Sequence, residues 1–199
     1  MLRRTLLLAT AAVACAGHAF GQANLRPDPT PRVPPQPGQG LPAEDLAYIR
    51  RADRLGRLAI DAGRLAAERA SAEDVKQFGT RMATEHQQAQ QNLAALARAR
   101  HVDLSDQGEA EAQARQALEE LRAAGTGQAF ERVYLAQQLG LLKSLAELHQ
   151  SEASQATDRE LARFAITTLV PVRSELDAAN ALGRRYGLHS DTLGNPPQY

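Results

Sequence analysis

The chain has 199 residues, with 23 basic and 23 acidic side chains, only 4% aromatic residues and no tryptophan. Zero net charge and scarce aromatic side chains argue against a nucleic-acid partner, which needs a basic surface or stacking platforms. Strong helix formers dominate residues 43–186, whereas valine, isoleucine and threonine are sparse, so we expect an all-α protein.

Residues 1–23 have the pattern of a signal peptide. Two arginines form a basic start, and the apolar stretch after them is too short to span a membrane. Small residues then allow cleavage after Ala19 or Ala23, which leaves a mature chain without cysteine. In the alternative interpretation, Cys15 is the lipid-modified first residue of a lipoprotein and anchors the chain to a membrane.

The rest of the chain divides into a spacer, a domain and a tail. Residues 24–42 contain seven prolines and two glycines, and we expect them to form a disordered, partly extended spacer. The helical domain is expected over residues 43–186 and a flexible tail over residues 187–199. No later stretch has 18 consecutive apolar residues, so the mature chain is not expected to span a membrane.

Four long amphipathic helices and one short helix are predicted within the domain. In each long segment most apolar residues recur three or four positions apart, which places them on one face. The predicted helices cover residues 43–69, 71–100 with Ser71 as the N-cap, 109–124 (the short helix), 128–156, and the stretch from a cap at Thr157 or Asp158 to 186. Helices with one apolar face are not stable alone, so we expect an antiparallel four-helix bundle, with the short helix between the second and third long helices.

Motifs in order along the long helices carry a family resemblance from about Asp45 to Leu182. They are Gly63-Arg64-Leu65-Ala66, the run from Val75 to Met82 followed by Glu85-His86, Phe130-Glu131-Arg132-Val133-Tyr134-Leu135, and Leu161 with Phe164-Ala165 and a later proline. Together they resemble the ferritin-like helical family filed as domain of unknown function 4142. The resemblance implies a ferritin-like bundle in a periplasmic or outer-membrane protein.

A ferritin-like resemblance raises the question of a metal centre. Dimetal sites of this fold use a glutamate from each of two helices and Glu-x-x-His from each of the other two, and this sequence has no Glu-x-x-His. Where family members commonly have an acid and two histidines, this chain aligns Ala59, Leu142 and Glu175. The remaining candidate ligands are His86, Glu85 and Glu175, so we expect neither a metal nor a cofactor. Instead, His86 and Glu175 are expected to bond to each other.

The sequence gives no clear sign of other catalytic sites. His149 and Glu152 share a helix face, in the reverse order of the ferritin motif, and are predicted to lie in solvent. The few serines have no histidine close in sequence, and no glycine-rich phosphate loop follows a strand. We therefore do not expect an enzyme.

Three functions are compatible with these observations. The first is an exported, non-enzymatic bundle protein of the bacterial envelope, with a stress-related or scaffolding role and an envelope protein as its partner. The second is a metal-binding ferritin-like oxidase or metal store. The third is a periplasmic chaperone or adaptor that uses an exposed helical groove. Metal analysis separates the second function from the first.

Overall fold

The described part of the chain is helical, which confirms the expected all-α class. The computed structural model describes residues 40–105 and 108–188, and no strand occurs within them. The helices are α1 (Ala43–Arg69), α2 (Glu73–Ala99), α3 (Gly108–Ala123), α4 (Gly127–Gln155) and α5 (Arg159–Gly183), and a 3-10 turn follows at Arg184–Tyr186. The predicted signal peptide, nearly all of the predicted spacer and the tail from residue 189 lie outside the described residues.

The long helices pack as two hairpins. α1 packs mainly against α2, and α4 mainly against α5, because only the short connections 70–72 and 156–158 join the members of each pair. α1 also contacts α4, α2 contacts α5, and α3 lies against both α1 and α4. None of the described helices combines the length and apolar character needed to cross a bilayer.

Polar contacts join the two hairpins where helices end. Arg100, which follows α2, donates hydrogen bonds to both carboxylate oxygens of Asp158, at 2.7 and 2.6 Å. Two-pronged contacts of this kind fix geometry better than a single ion pair. Nearby, the hydroxyl of Thr157 donates to the carboxylate of Asp45 at 3.1 Å. The connection between α4 and α5 is therefore bonded to both helices of the other hairpin.

The apolar interior forms two clusters. The smaller cluster joins the start of α1, the end of α2 and the start of α5, and consists of Tyr48, Ile49, Ala52, Leu93, Ala97, Leu161, Phe164 and Ala165. The larger cluster includes Phe130, Tyr134, Leu135, Leu141, Leu142 and Leu145 of α4. Burying a large apolar side chain stabilises the fold by about 1.5–3 kcal/mol. The clusters therefore supply the main force that holds the amphipathic helices together.

The start of α2 is stabilised by a side chain from another helix. The predicted N-cap, Ser71, lies one residue before the observed N-cap, Ala72. The buried Glu131 carboxylate accepts hydrogen bonds from the backbone N–H groups of both residues, at 2.6 and 2.7 Å, and from the Tyr186 hydroxyl at 2.7 Å. Burial raises the pKa of Glu131, but these hydrogen bonds outweigh burial and lower it overall. The local sequence predicted the wrong cap because this carboxylate lies 60 residues away from Ser71.

The last helix begins as predicted, but the packed domain ends later than predicted. Asp158 is the N-cap, and its carboxylate accepts hydrogen bonds from the N–H groups two and three residues later. After the 3-10 turn, Gly187 has a φ of 69°, a left-handed conformation that favours glycine. Leu188 is buried against the larger cluster, and its N–H donates to the carbonyl oxygen of Gly183. The packed domain therefore extends beyond residue 186 into the predicted tail.

α1 and α2 come into backbone contact at two glycines. A Cβ atom added to Gly63 would lie 2.6 Å from the carbonyl oxygen of Gly79, and one added to Gly79 would lie 2.7 Å from the carbonyl oxygen of Gly63. Backbone atoms in packed helices cannot rotate away from such a contact as a flexible side chain can. The absence of a side chain at these positions therefore sets the separation of α1 and α2.

Replacing Gly79 with alanine is expected to lower the free energy of unfolding by about 2 kcal/mol, because overpacking outweighs the roughly 1 kcal/mol of added helix propensity. Gly56→Ala is the matched control, since its new Cβ would meet the flexible end of Gln90 at 3.0 Å. We expect that variant to stay within about 1 kcal/mol of the wild type. Urea unfolding followed by circular dichroism measures both, and equal stabilities would contradict the role of the close contact.

Candidate functional site

The predicted pair of His86 and Glu175 is present in the interior. His86 of α2 is 4% exposed and Glu175 of α5 is 2% exposed. Nε2 of His86 lies 3.2 Å from Oε2 of Glu175, which is hydrogen-bond distance. The side chains predicted to face them, Ala59 and Leu142, are fully buried on α1 and α4. Each long helix thus contributes one of the four predicted interior residues, and two of the four are apolar.

Glu85 connects this pair to the surface. It is exposed, although its sequence neighbour His86 is buried. Burial first, and then the hydrogen bonding and charge of the Glu175 carboxyl group, raise the pKa of Glu85. The carboxyl groups of Glu85 and Glu175 therefore lie close together, one at the surface and the other buried. The structure therefore brings together the three predicted candidates, His86, Glu85 and Glu175.

Few possible metal ligands lie near His86 in the described part of the chain. No three histidine, cysteine, aspartate or glutamate side chains there converge so that they could hold an ion. His86 and Glu175 alone would provide two ligands, whereas zinc and similar ions in proteins take three or four protein ligands. Ala59 and Leu142 have no atom that could complete the set.

The prediction that His149 and Glu152 lie in solvent was wrong, because each is only 2% exposed. α4 is enclosed on several sides, since α1, α3 and α5 all pack against it. The spacing carried a signal for this burial: Leu142, Leu145 and His149 follow at intervals of three and four residues, so His149 continues the core face. The prediction failed because the polar side chain of His149 was taken as a sign of exposure.

His149 is the centre of a second buried polar group. The hydroxyl of Tyr48 lies 3.0 Å from Nδ1 of His149. Burial, followed by the charge of Glu152, raises the pKa of Tyr48, so the hydroxyl keeps its proton and donates a hydrogen bond to the imidazole. The His149 ring also makes edge contacts with the rings of Tyr48 and Phe164, at centroid distances of 5.8 and 6.0 Å. These contacts hold a neutral imidazole between α1 and α5.

Burial first, and then the charge of His86, lower the pKa of His149 from 6.5 to about 4. Between these values the unfolded chain binds the proton and the folded chain does not, so the fold loses stability as the pH falls through this window. Because of His149 alone, we expect the free energy of unfolding to be about 2 kcal/mol lower at pH 5 than at pH 7.

Urea unfolding at several pH values tests this expectation with His149→Gln, whose side chain does not titrate but can accept the Tyr48 hydroxyl. In that variant the free energy of unfolding should fall by about 2 kcal/mol less between pH 7 and pH 5 than in the wild type. His101→Asn is the control, because His101 is exposed and asparagine tolerates its positive φ of 55°. If His149→Gln and the control show the same pH dependence, the argument from burial is wrong.

The His86–Glu175 pair gives a separate prediction. His86→Leu leaves the Glu175 carboxyl group buried without its imidazole partner and should lower the unfolding free energy by about 3 kcal/mol. The double variant His86→Leu/Glu175→Met removes both polar groups and should return to within about 1 kcal/mol of the wild type. Unfolding free energies of the wild type, these two variants and Glu175→Met, measured with denaturant, together form a double-mutant cycle. A double variant no more stable than His86→Leu would contradict this account.

Comparison with known proteins supports the fold and shows the family. No curated protein sequence matches the chain significantly. The crystal structure of a DUF305 fragment from Deinococcus radiodurans is similar in fold, with a TM-score of 0.64 and 14% sequence identity, over 73% of this chain and 99% of that one. The family described as Domain of unknown function (DUF4142) matches residues 30–182, which include α1 to α4 and all but the last residue of α5. The chain therefore belongs to the DUF4142 family.

Proposed function

We propose that the chain is an exported, non-enzymatic protein of the bacterial envelope, which acts through contacts of its helical domain with an envelope partner. The observation that carries this proposal is the interior of the domain. The imidazole of His86 is hydrogen-bonded to Glu175, and that of His149 is hydrogen-bonded to Tyr48. Both imidazoles are buried. Apolar side chains occupy the other positions at which this fold commonly holds metal ligands. A function carried out through contacts of the domain surface with a partner agrees with such an interior.

The proposal includes a ferritin-like antiparallel four-helix bundle. Its support is the pattern of helix contacts: α1 with α2 and α4, and α5 with α4 and α2. In an antiparallel bundle each long helix has two such neighbours. α3 belongs to the connection between the two hairpins, where the sequence predicted a short helix.

Export to the periplasm or to the outer membrane rests on the amino-terminal sequence. Its basic start, apolar stretch and small residues are the features that secretory signal peptides share. Sequencing the amino terminus of the protein isolated from its host should give a chain that begins after Ala19 or Ala23. A lipid-modified Cys15 would establish the lipoprotein form. A chain that keeps Met1 and fractionates with the cytoplasm would contradict export.

A metal-binding oxidase or metal store is the second candidate function. The observation in its favour is the approach of His86 and Glu175, two side chains of the type that bind zinc, iron or manganese, with Glu85 beside them. Elemental analysis of protein purified without chelators tests both functions at once. We expect less than stoichiometric metal. Stoichiometric iron, manganese or zinc that is lost in His86→Leu and kept in His101→Asn would put the metal function first.

A chaperone or adaptor is the third candidate. Two large apolar side chains of α5, Ile166 and Val170, are 54% and 70% exposed and lie one helical turn apart. Two side chains cover far less area than the several hundred Å² typical of an apolar docking patch. This surface gives the chaperone function less support than the interior gives the first proposal.

A further inference from the structure

One half of the domain is reinforced by elements outside the four long helices. α3 adds residues to the larger apolar cluster, and the amide of Gln137 on α4 donates a hydrogen bond to the carbonyl oxygen of Ala117 at 3.1 Å. Tyr186 of the 3-10 turn bonds to Glu131, and Leu188 packs against the same cluster. This region, which we call the braced half, comprises residues 57–82, 111–142 and 176–188.

The opposite end of the domain lies beyond these elements. Arg57 bonds to Glu111 near the start of α3, at 3.1 Å. Arg69 bonds to the carbonyl oxygen of Arg122 near its end, at 2.9 Å, so α3 lies along the second half of α1. The region on the other side of Arg57, which we call the His149 end, comprises residues 43–56, 89–105 and 145–169.

The His149 end is held by less apolar area than the braced half. It contains the smaller apolar cluster, in which three of the eight buried residues are alanine. Apolar stabilisation grows with the area buried, and an alanine side chain buries little. Proteins open first in the regions with the fewest buried apolar contacts. Opening the His149 end therefore costs less free energy than unfolding the domain.

His149 lies among side chains of the other three long helices. α1 contributes Tyr48, whose hydroxyl lies 3.0 Å from Nδ1, and α5 contributes the ring of Phe164. The charge of His86 on α2 acts on His149, and Glu152 of α4 acts on Tyr48. Both nitrogens of a protonated imidazole are donors, so Nδ1 can no longer accept the Tyr48 hydroxyl. A proton on His149 would thus break its bond to α1 and place a charge among apolar side chains.

We propose that the His149 end is a pH-sensitive device, which opens in mildly acidic solution while the braced half stays folded. The open state places the imidazole in water, where it binds a proton readily, whereas the closed state excludes the proton. With a pKa of about 4 when closed and 6.5 when open, the open-to-closed ratio rises about 20-fold between pH 7 and pH 5. Opening exposes the apolar side chains of the smaller cluster.

The other shifted groups near this end do not drive the opening. Burial raises the pKa of Asp158, but hydrogen bonds with Arg100 and with backbone N–H groups outweigh burial and lower it overall. The two side chains therefore keep their charges at pH 5. Burial, and then Glu175, raise the pKa of Glu85, which lies outside the His149 end. A group that binds its proton more tightly when folded adds stability as the pH falls, so Glu85 acts in the opposite direction.

Hydrogen exchange of the full chain, corrected for intrinsic exchange rates and measured in low urea at pH 7 and pH 5, tests the proposal. Amides of residues 145–152 and 161–168 report on the His149 end, and amides of residues 133–140 and 176–182 report on the braced half. We expect the first set to exchange faster at both pH values, with little dependence on urea, and about 20-fold more openly at pH 5 than at pH 7. The second set should exchange through global unfolding, with a steep dependence on urea.

The variants His149→Gln and His101→Asn separate the role of His149 from a general effect of acid. The 20-fold rise should be lost in His149→Gln and kept in His101→Asn, because His101 is exposed. An equal rise in His149→Gln would overturn the proposal. If that variant does not fold, the wild type still decides: equal opening free energies and equal urea dependence in the two sets of amides would show one cooperative unit and overturn it.

Discussion

The hydrogen bond between His86 and Glu175 is one of several polar contacts that join the α1–α2 hairpin to the α4–α5 hairpin. Tyr48 and His149 join α1 to α4, and Glu131 of α4 caps the start of α2. Apolar side chains can pack in more than one register, but a buried polar group that loses its partner costs about 1–3 kcal/mol. These contacts therefore select one alignment of the two hairpins among those that the apolar clusters would allow.

The same contacts bear on what the domain can do. A side chain that bonds across two helices contributes to their alignment. In this interior the histidines and Glu175 are used in that way, and Glu85 is the member of the group that reaches the surface. Among these buried groups, the lowered pKa of His149 couples the binding of a proton to the stability of the fold.

Local signals predicted the helices, whereas contacts between distant segments could not be predicted from one sequence. The spacing of apolar residues gave the bounds of α1 without error, and Asp158 has the side chain that an N-cap requires. The cap of α2 was missed because its carboxylate comes from α4. His86 was placed correctly through family resemblance and periodicity, whereas His149 was misplaced because polarity was given more weight than its position on the core face.

The two enclosed tyrosines give the protein a built-in optical signal. The chain has no tryptophan and four tyrosines, so tyrosine dominates its near-ultraviolet absorption. Burial raises the pKa of Tyr48 and Tyr134 well above 10, the value at which an exposed phenol ionises. At a pH slightly above 10 an exposed phenol is ionised, whereas these two rings become tyrosinate only when the helices separate. The red-shifted absorbance of tyrosinate therefore reports the opening of the interior without any label, at one site in each apolar cluster.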